Sequence, residues 1–142
     1  MDFNIKSGQP EKRHTDCLIL PVFESVKSPI INTKLEKSCR EALTNILKLG
    51  DTNSKVGQNL LLHNIPGINS DRVLLVGCGK ESEFNDKVFR EVIQKMATSL
   101  NNTGVREAIC YLTEIPLKDY DSAWKIQQAV MITVSSRYKF EQ

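Results

Sequence analysis

The sequence predicts an α/β domain of three layers, in which helices cover both faces of a mixed, mostly parallel sheet. The stretch 72–80 carries an uninterrupted apolar run that stops at two glycines separated by one residue. An unbroken apolar run indicates a strand that is covered on both faces, so we place this strand in the middle of the sheet. Segments with the apolar spacing of amphipathic helices lie between the candidate strands, and this alternation is typical of an α/β fold.

Five segments are predicted to be strands. Residues 3–6 alternate apolar and polar side chains, as a half-buried edge strand does, and residues 17–23 form a second, buried strand in which Pro21 removes a hydrogen-bond donor. Residues 58–65 predict the third strand, the run from Arg72 the fourth and residues 108–112 the fifth. The connection over residues 66–71 is short, which favours antiparallel neighbours over a crossover.

Three segments are predicted to be helices. The first extends from a cap at Asn32 to a stop at Gly50, and its apolar stripe is Leu35, Cys39, Ala42, Leu43, Ile46 and Leu47. The second begins at Asn85 and ends at residues 101–104, and its wide apolar stripe is Val88, Phe89, Val92, Ile93, Met96, Ala97 and Leu100. The third starts at Asp121 or Ser122 and carries Trp124, Ile126, Val130, Val134 and Tyr138.

The length, composition and net charge are those of an ordinary globular domain. A chain of 142 residues with 40% apolar and 25% charged side chains is long enough to bury one core, and we expect residues 1–142 to form a single domain. Nineteen basic side chains against seventeen acidic ones give a net charge of +2, which by itself indicates no polyanionic partner. No repeat and no internal linker divides the chain.

Cysteine usage and hydropathy favour a cytoplasmic location. The four cysteines, Cys17, Cys39, Cys78 and Cys110, are far apart in the sequence and form no Cys-x-x-Cys pair, so we expect buried, reduced thiols. No apolar segment approaches the roughly 20 residues that span a bilayer, and the first residues lack the features of a signal peptide. We therefore expect no membrane partner.

The two glycines after the fourth strand resemble part of a dinucleotide-binding motif. In that motif a third glycine would follow Gly77 and Gly79 at position 82, which is Ser82. A phosphate-binding P-loop is also excluded, because Lys80 is followed by Glu81 and no glycine lies at the required spacing upstream. The residues favour a tight turn between a strand and a helix.

Other candidates for chemistry are equally weak. His14 and His63 have no partner at helical spacing with which to hold a metal, and a nucleophilic pair of His63 with Cys78 depends on geometry that spacing does not supply. Glu81 and Glu83 are typical of a solvated loop, and the short basic run at 12–13 is typical of an ordinary surface. The sequence predicts no catalytic, cofactor-binding or metal-binding residue in this chain.

An ordered set of short segments resembles the N-terminal domain of the leucyl aminopeptidases, which are also called cytosol aminopeptidases. The segments that carry the resemblance are 22–24, 48–51, 55–58, 60–63, 65–67, 72–80 and 103–104. The resemblance covers essentially the whole chain. It implies a macro-domain-like fold that precedes a separate catalytic domain in a homo-hexameric enzyme, and it implies that residues 1–142 are a fragment that ends at a domain boundary.

The resemblance places the chemistry outside this chain. In the family, a C-terminal catalytic domain holds two divalent metal ions, manganese or zinc, and the ions activate a water that removes N-terminal amino acids from peptides. We expect the fragment alone to be inactive and to contribute to oligomer architecture and access to the active sites. Two alternatives remain: a regulatory module that binds DNA, as some bacterial members of the family do, and an ADP-ribose or nucleotide site near residues 77–80.

Overall fold

The computed structural model describes residues 2–5, 14–24, 37–49, 55–65 and 67–141. The order of the elements is the predicted β-β-α-β-β-α-β-α. The strands are β1 (Asp2–Ile5), β2 (Cys17–Phe23), β3 (Asn59–His63), β4 (Arg72–Gly79) and β5 (Glu107–Cys110). The helices are α1 (Lys37–Leu49), α2 (Asp86–Asn101) and α3 (Ser122–Glu141), and short 3₁₀ turns occupy Glu81–Glu83 and Leu112–Glu114.

The five strands form one mixed sheet in the order β1-β5-β2-β4-β3. The pairs of β1 with β5, β5 with β2, and β2 with β4 are parallel, so the prediction of a mostly parallel sheet is confirmed. The middle strand is β2, and the prediction that β4 is the middle strand was wrong by one position. Every residue of β2 and every residue of β4 after Arg72 is buried. An apolar pattern that indicates burial therefore could not show which of the two strands is the middle one.

The edge strand β3 runs antiparallel to β4, as the short connection between them predicted. Leu61 lies opposite Leu74, and His63 lies opposite Arg72. The turn is closed by the Asn64 amide, which donates to the Asp71 carbonyl at 2.9 Å. The side chains of β3 remain partly accessible, as expected for the last strand of a sheet.

Alternate side chains of the interior strands enter two separate cores, which establishes the three layers. On one face of the sheet, Ile19 and Val76 belong to a core that includes the buried stripe of α2 and Ala129 of α3. On the other face, Leu18 and Leu75 pack with Leu43 of α1. The layers are therefore α1, the sheet, and α2 with α3.

Helix α2 has the cap and the stripe that the sequence predicted. The Asn85 side chain accepts a hydrogen bond from the Val88 amide at 2.9 Å, which satisfies one of the free amides of the first turn. Val88 packs against the core, and the buried residues are Phe89, Val92, Ile93, Met96, Ala97 and Leu100. The strict apolar spacing of α2 thus determined which face is buried.

The other two helices are confirmed where the structure describes them. Helix α1 buries Leu43, while its predicted cap Asn32, its predicted stop Gly50 and the side chain of Cys39 lie outside the described residues. Helix α3 begins where predicted, because the Asp121 side chain accepts a hydrogen bond from the Trp124 amide at 2.8 Å. The side chain of Tyr138 is also outside the described part.

Candidate interaction surface

The glycines at the end of β4 are engaged within the protein. The amide and the carbonyl of Gly77 bond to the Gln58 carbonyl and the Gly57 amide, at 2.6 and 3.1 Å. The Gly79 carbonyl accepts from the Glu24 amide at 2.9 Å. The backbone of Gly79 has φ +75°, so it makes the sharp turn that the sequence predicted. These backbone groups are used to join β4 to its neighbours and do not form a cradle for phosphate.

The structure separates the candidate nucleophilic pair. His63 is exposed and lies opposite Arg72, at the start of β4. Cys78 is buried near the end of the same strand, six positions further on, which corresponds to about 20 Å along a strand. No proton can pass between these side chains directly, so they do not form a catalytic pair.

Three cysteines are buried, free thiols, as predicted: Cys17, Cys78 and Cys110. Burial away from water raises the pKa of each thiol to about 12, because the charged thiolate loses its hydration. A thiol with such a pKa is almost wholly protonated near neutral pH and is a poor nucleophile. These residues are packing side chains.

The remaining candidates lie apart from one another. His14 is exposed before β2, and Glu81 and Glu83 are exposed in the 3₁₀ turn after β4, as expected for a solvated loop. The basic run at 12–13 lies outside the described residues. Within the described ranges, no group of three histidine, cysteine or acidic side chains could hold a metal ion, so these residues do not fit the two-metal site of an aminopeptidase.

A charged cleft of about 400 Å³ lies at the amino ends of β2, β4 and β5. Its centre is the carboxylate of Asp16, which accepts from the Arg72 guanidinium at 3.0 Å and from the Arg106 amide at 2.6 Å. Both oxygens of Asp16 are therefore used to hold the beginnings of three strands together. Sequence reasoning missed this contact, because Asp16 and Arg106 are 90 residues apart.

Helix α3 presents a second apolar face that the described part of the protein does not cover. Ile126, Val130, Met131 and Val134 are 39, 44, 56 and 57% exposed. Ile126, Val130 and Val134 follow one another at intervals of four residues, so they line one side of the helix, with Met131 beside them. We call these four residues the α3 apolar surface. No helix in the described ranges is long and apolar enough to cross a membrane.

The opposite side of α3 is the buried one, and it includes a lysine. Lys125 is 6% exposed, and its ammonium group donates to the Ile115 carbonyl at 2.9 Å. Loss of hydration lowers the pKa of Lys125, and the nearby carboxylates of Glu114 and Asp121 oppose this effect. Sequence reasoning missed this residue, because a single lysine between apolar residues is usually expected to face water.

The contrast with α2 shows how unusual the outer face of α3 is. The solvent-facing residues of α2 are charged or polar: Lys87, Arg90, Glu91, Gln94 and Lys95. Residues 126–134 of α3 include no charged side chain at all. The exposed side chains of this segment are the four residues of the α3 apolar surface and one uncharged polar residue, Gln127. An exposed helix face normally carries charged and polar side chains instead. The α3 apolar surface therefore has the composition of a contact surface.

Comparison with known proteins decides the family. Residues 19–142 match the family model described as the cytosol aminopeptidase family, N-terminal domain. This chain belongs to the cytosol aminopeptidase family. It is 44% identical over all 142 residues to a probable cytosol aminopeptidase of Tolumonas auensis and, over the same length, to the cytosol aminopeptidase of Vibrio cholerae. The chain spans 28% of the length of each of these curated relatives.

Solved structures agree on the fold. The macrodomains of the DarG proteins from Mycobacterium tuberculosis and Thermus aquaticus superpose on this domain with TM-scores of 0.63, at 13 and 11% identity. Each comparison covers 94% of this chain, and 90 and 91% of the macrodomains. The bottromycin maturation enzyme BotP gives a TM-score of 0.57 at 13% identity, over 86% of this chain and 23% of that enzyme. The macro-domain-like architecture is therefore confirmed.

Proposed function

We propose that this chain is the non-catalytic N-terminal domain of a longer cytosol aminopeptidase, in which it helps to arrange subunits and to shape access to the active sites. The observation that carries the proposal is the length of the match. The chain aligns over its whole length with relatives named cytosol aminopeptidase, yet it spans only 28% of each. The relatives' name also favours action in the cytoplasm.

The reaction of the whole enzyme belongs to the part that lies outside these 142 residues. Two divalent metal ions, manganese or zinc, would there activate a water that hydrolyses the first peptide bond of a substrate. The described side chains supply no group of ligands for such ions, so no step of the reaction is assigned to this domain. Its contribution is architectural, and a homo-hexamer is the assembly that the family resemblance implies.

The proposal is tested by deletion in the longer protein. We expect removal of residues 1–142 to change the number of subunits, measured by analytical ultracentrifugation, and to change the peptidase rate on long peptides more than on a leucyl anilide. A small anilide needs little shaping of the access path, so it serves as the control substrate. An unchanged assembly together with unchanged rates on both substrates would contradict the architectural role.

The chain alone is expected to be inactive. The assay is turnover of a leucyl anilide by the purified chain with added manganese or zinc, compared with the longer protein under the same conditions. Turnover that co-purifies with the chain would show that it holds catalytic groups, and the proposal would then fail.

Neither alternative function has a supporting contact in the described residues. Beyond β4, the exposed cations Lys80 and Lys87 flank three acidic residues, Glu81, Glu83 and Asp86. A DNA duplex is a polyanion and prefers a patch of positive charge. For a nucleotide, the polar backbone groups at Gly77 and the Gly79 carbonyl are already bonded. A gel shift at low salt and a calorimetric titration with ADP-ribose are both expected to show no binding.

A further inference from the structure

We propose that the α3 apolar surface is the site at which the catalytic part of the same aminopeptidase packs onto this domain. The inference rests on the proposed function, because it takes the occupant to be the polypeptide that follows residue 142 in the longer relatives. It adds the residues that make the contact: Ile126, Val130, Met131 and Val134.

The first argument is chemical. The four side chains are 39 to 57% exposed, and the only charged residue in the first half of α3, Lys125, faces the interior. The outer face of α2 lies in the same layer and carries three cations and one carboxylate. The charged outer face of α2 is the composition expected of a helix that faces water. The uncharged, mostly apolar outer face of α3 is the composition expected of a helix that faces an apolar partner.

The second argument is the position of the surface in the chain. α3 is the last element, and the exposed fraction rises along one side of it, from 39% at Ile126 through 44% at Val130 to 57% at Val134. The relatives continue for more than twice the length of this chain, since the match spans only 28% of them. A tethered polypeptide is present at high effective concentration, so it reaches a nearby apolar surface before a free partner does.

The third argument concerns the inner side of the same helix, which keeps the surface in place. Ala129 is fully buried in the core, and the Lys125 ammonium is bonded to the Ile115 carbonyl at 2.9 Å. Trp124 packs on Phe89 of α2, with ring centroids 6.0 Å apart. These contacts fix the rotation of α3 about its axis. The apolar surface therefore faces away from the core, and none of the residues that the structure describes covers it.

One experiment compares two charged variants in two proteins. Val130→Lys is expected to lower the melting temperature of the longer aminopeptidase by about 4 °C or more, because it places an unpaired charge in a buried contact. In the 142-residue chain the same change is expected to shift the melting temperature by less than about 2 °C, because position 130 is already half exposed. Gln94→Lys, on the exposed face of α2, is the matched control and should change neither protein.

A second experiment identifies the occupant directly. A photo-crosslinking amino acid at position 130 of the longer protein should attach to residues that follow residue 142. Attachment to residues 1–142 of another subunit would mean that a second copy of this domain covers the surface, and absence of any attachment would mean that nothing does. Either outcome overturns the inference.

The outcomes also separate the inference from the proposed function. If deletion of residues 1–142 changes the assembly of the longer protein, while Val130→Lys and the crosslink give no sign of a contact, the architectural role stands and the α3 apolar surface is not its site. If the deletion has no effect, while Val130→Lys destabilises the longer protein and the crosslink attaches to residues that follow residue 142, the packing site stands and the architectural role fails.

Discussion

Replacement of Gly79 by alanine tests the structure at the end of β4. The backbone of Gly79 has φ +75°, where an L-amino acid with a Cβ atom costs about 1–2 kcal/mol. A Cβ atom at this position would lie 2.8 Å from the Cγ2 methyl of Val56, so that methyl must move. Displacing a side chain from its preferred rotamer costs about 1 kcal/mol. We therefore expect Gly79→Ala to destabilise the domain by about 2–3 kcal/mol.

Thermal unfolding followed by circular dichroism measures this effect. For a domain of this size the expected loss corresponds to a decrease in melting temperature on the order of 10 °C. In a Val56→Ala background the steric part should disappear, and Gly79→Ala should then cost only about 1–2 kcal/mol. Gly104→Ala is the control, because a Cβ atom there would meet nothing within 4 Å. A Gly79→Ala variant that melts within about 2 °C of the original chain would show that neither the positive φ nor the contact with Val56 constrains position 79.

Three further effects follow from local contacts. Asn85→Ala removes the cap of α2 and should lower the free energy of unfolding in urea by about 1 kcal/mol, and an unchanged midpoint would show that the cap is dispensable. The pKa of Lys125 is lower in the folded protein than in the unfolded chain, so the unfolded chain binds more protons between the two values. The free energy of unfolding should therefore rise with pH through a window below 10.5. Lys125→Met should remove this pH dependence. An equal pH dependence in the two proteins would contradict the burial of this charge. At pH 8 a disulfide reagent should modify at most one thiol per native chain, and all four thiols after denaturation. Rapid modification of two or more thiols in the native chain would contradict the burial of Cys17, Cys78 and Cys110.

The sequence predicts best those elements whose apolar pattern is compatible with a single arrangement in the fold. Helix α2 has a single apolar stripe, so its buried face and its cap at Asn85 followed directly. The antiparallel pairing of β3 with β4 followed from the short connection between them. The family could also be recognised from the sequence, because the resemblance depends on the order of several short segments.

Other features depend on contacts between distant parts of the chain. The middle position of β2 in the sheet depends on β5, which pairs with it on the side away from β4. The role of Asp16 depends on Arg106, 90 residues later. Helix α3 is apolar on two sides, so the pattern of Ile126, Val130 and Val134 predicted a helix but could not show that the side with Lys125 is the one that packs inward.

A single side chain, Met131, reports whether the outer face of α3 is covered in a longer protein that contains residues 1–142, as we propose. Met131 is 56% exposed here and Met96 is fully buried, so hydroxyl-radical footprinting should oxidise Met131 readily and spare Met96 in the 142-residue chain. In the proposed longer protein we expect oxidation of Met131 to fall at least about fivefold, towards the rate of Met96. An equal rate of Met131 oxidation in the two proteins would show that the outer face of α3 stays uncovered.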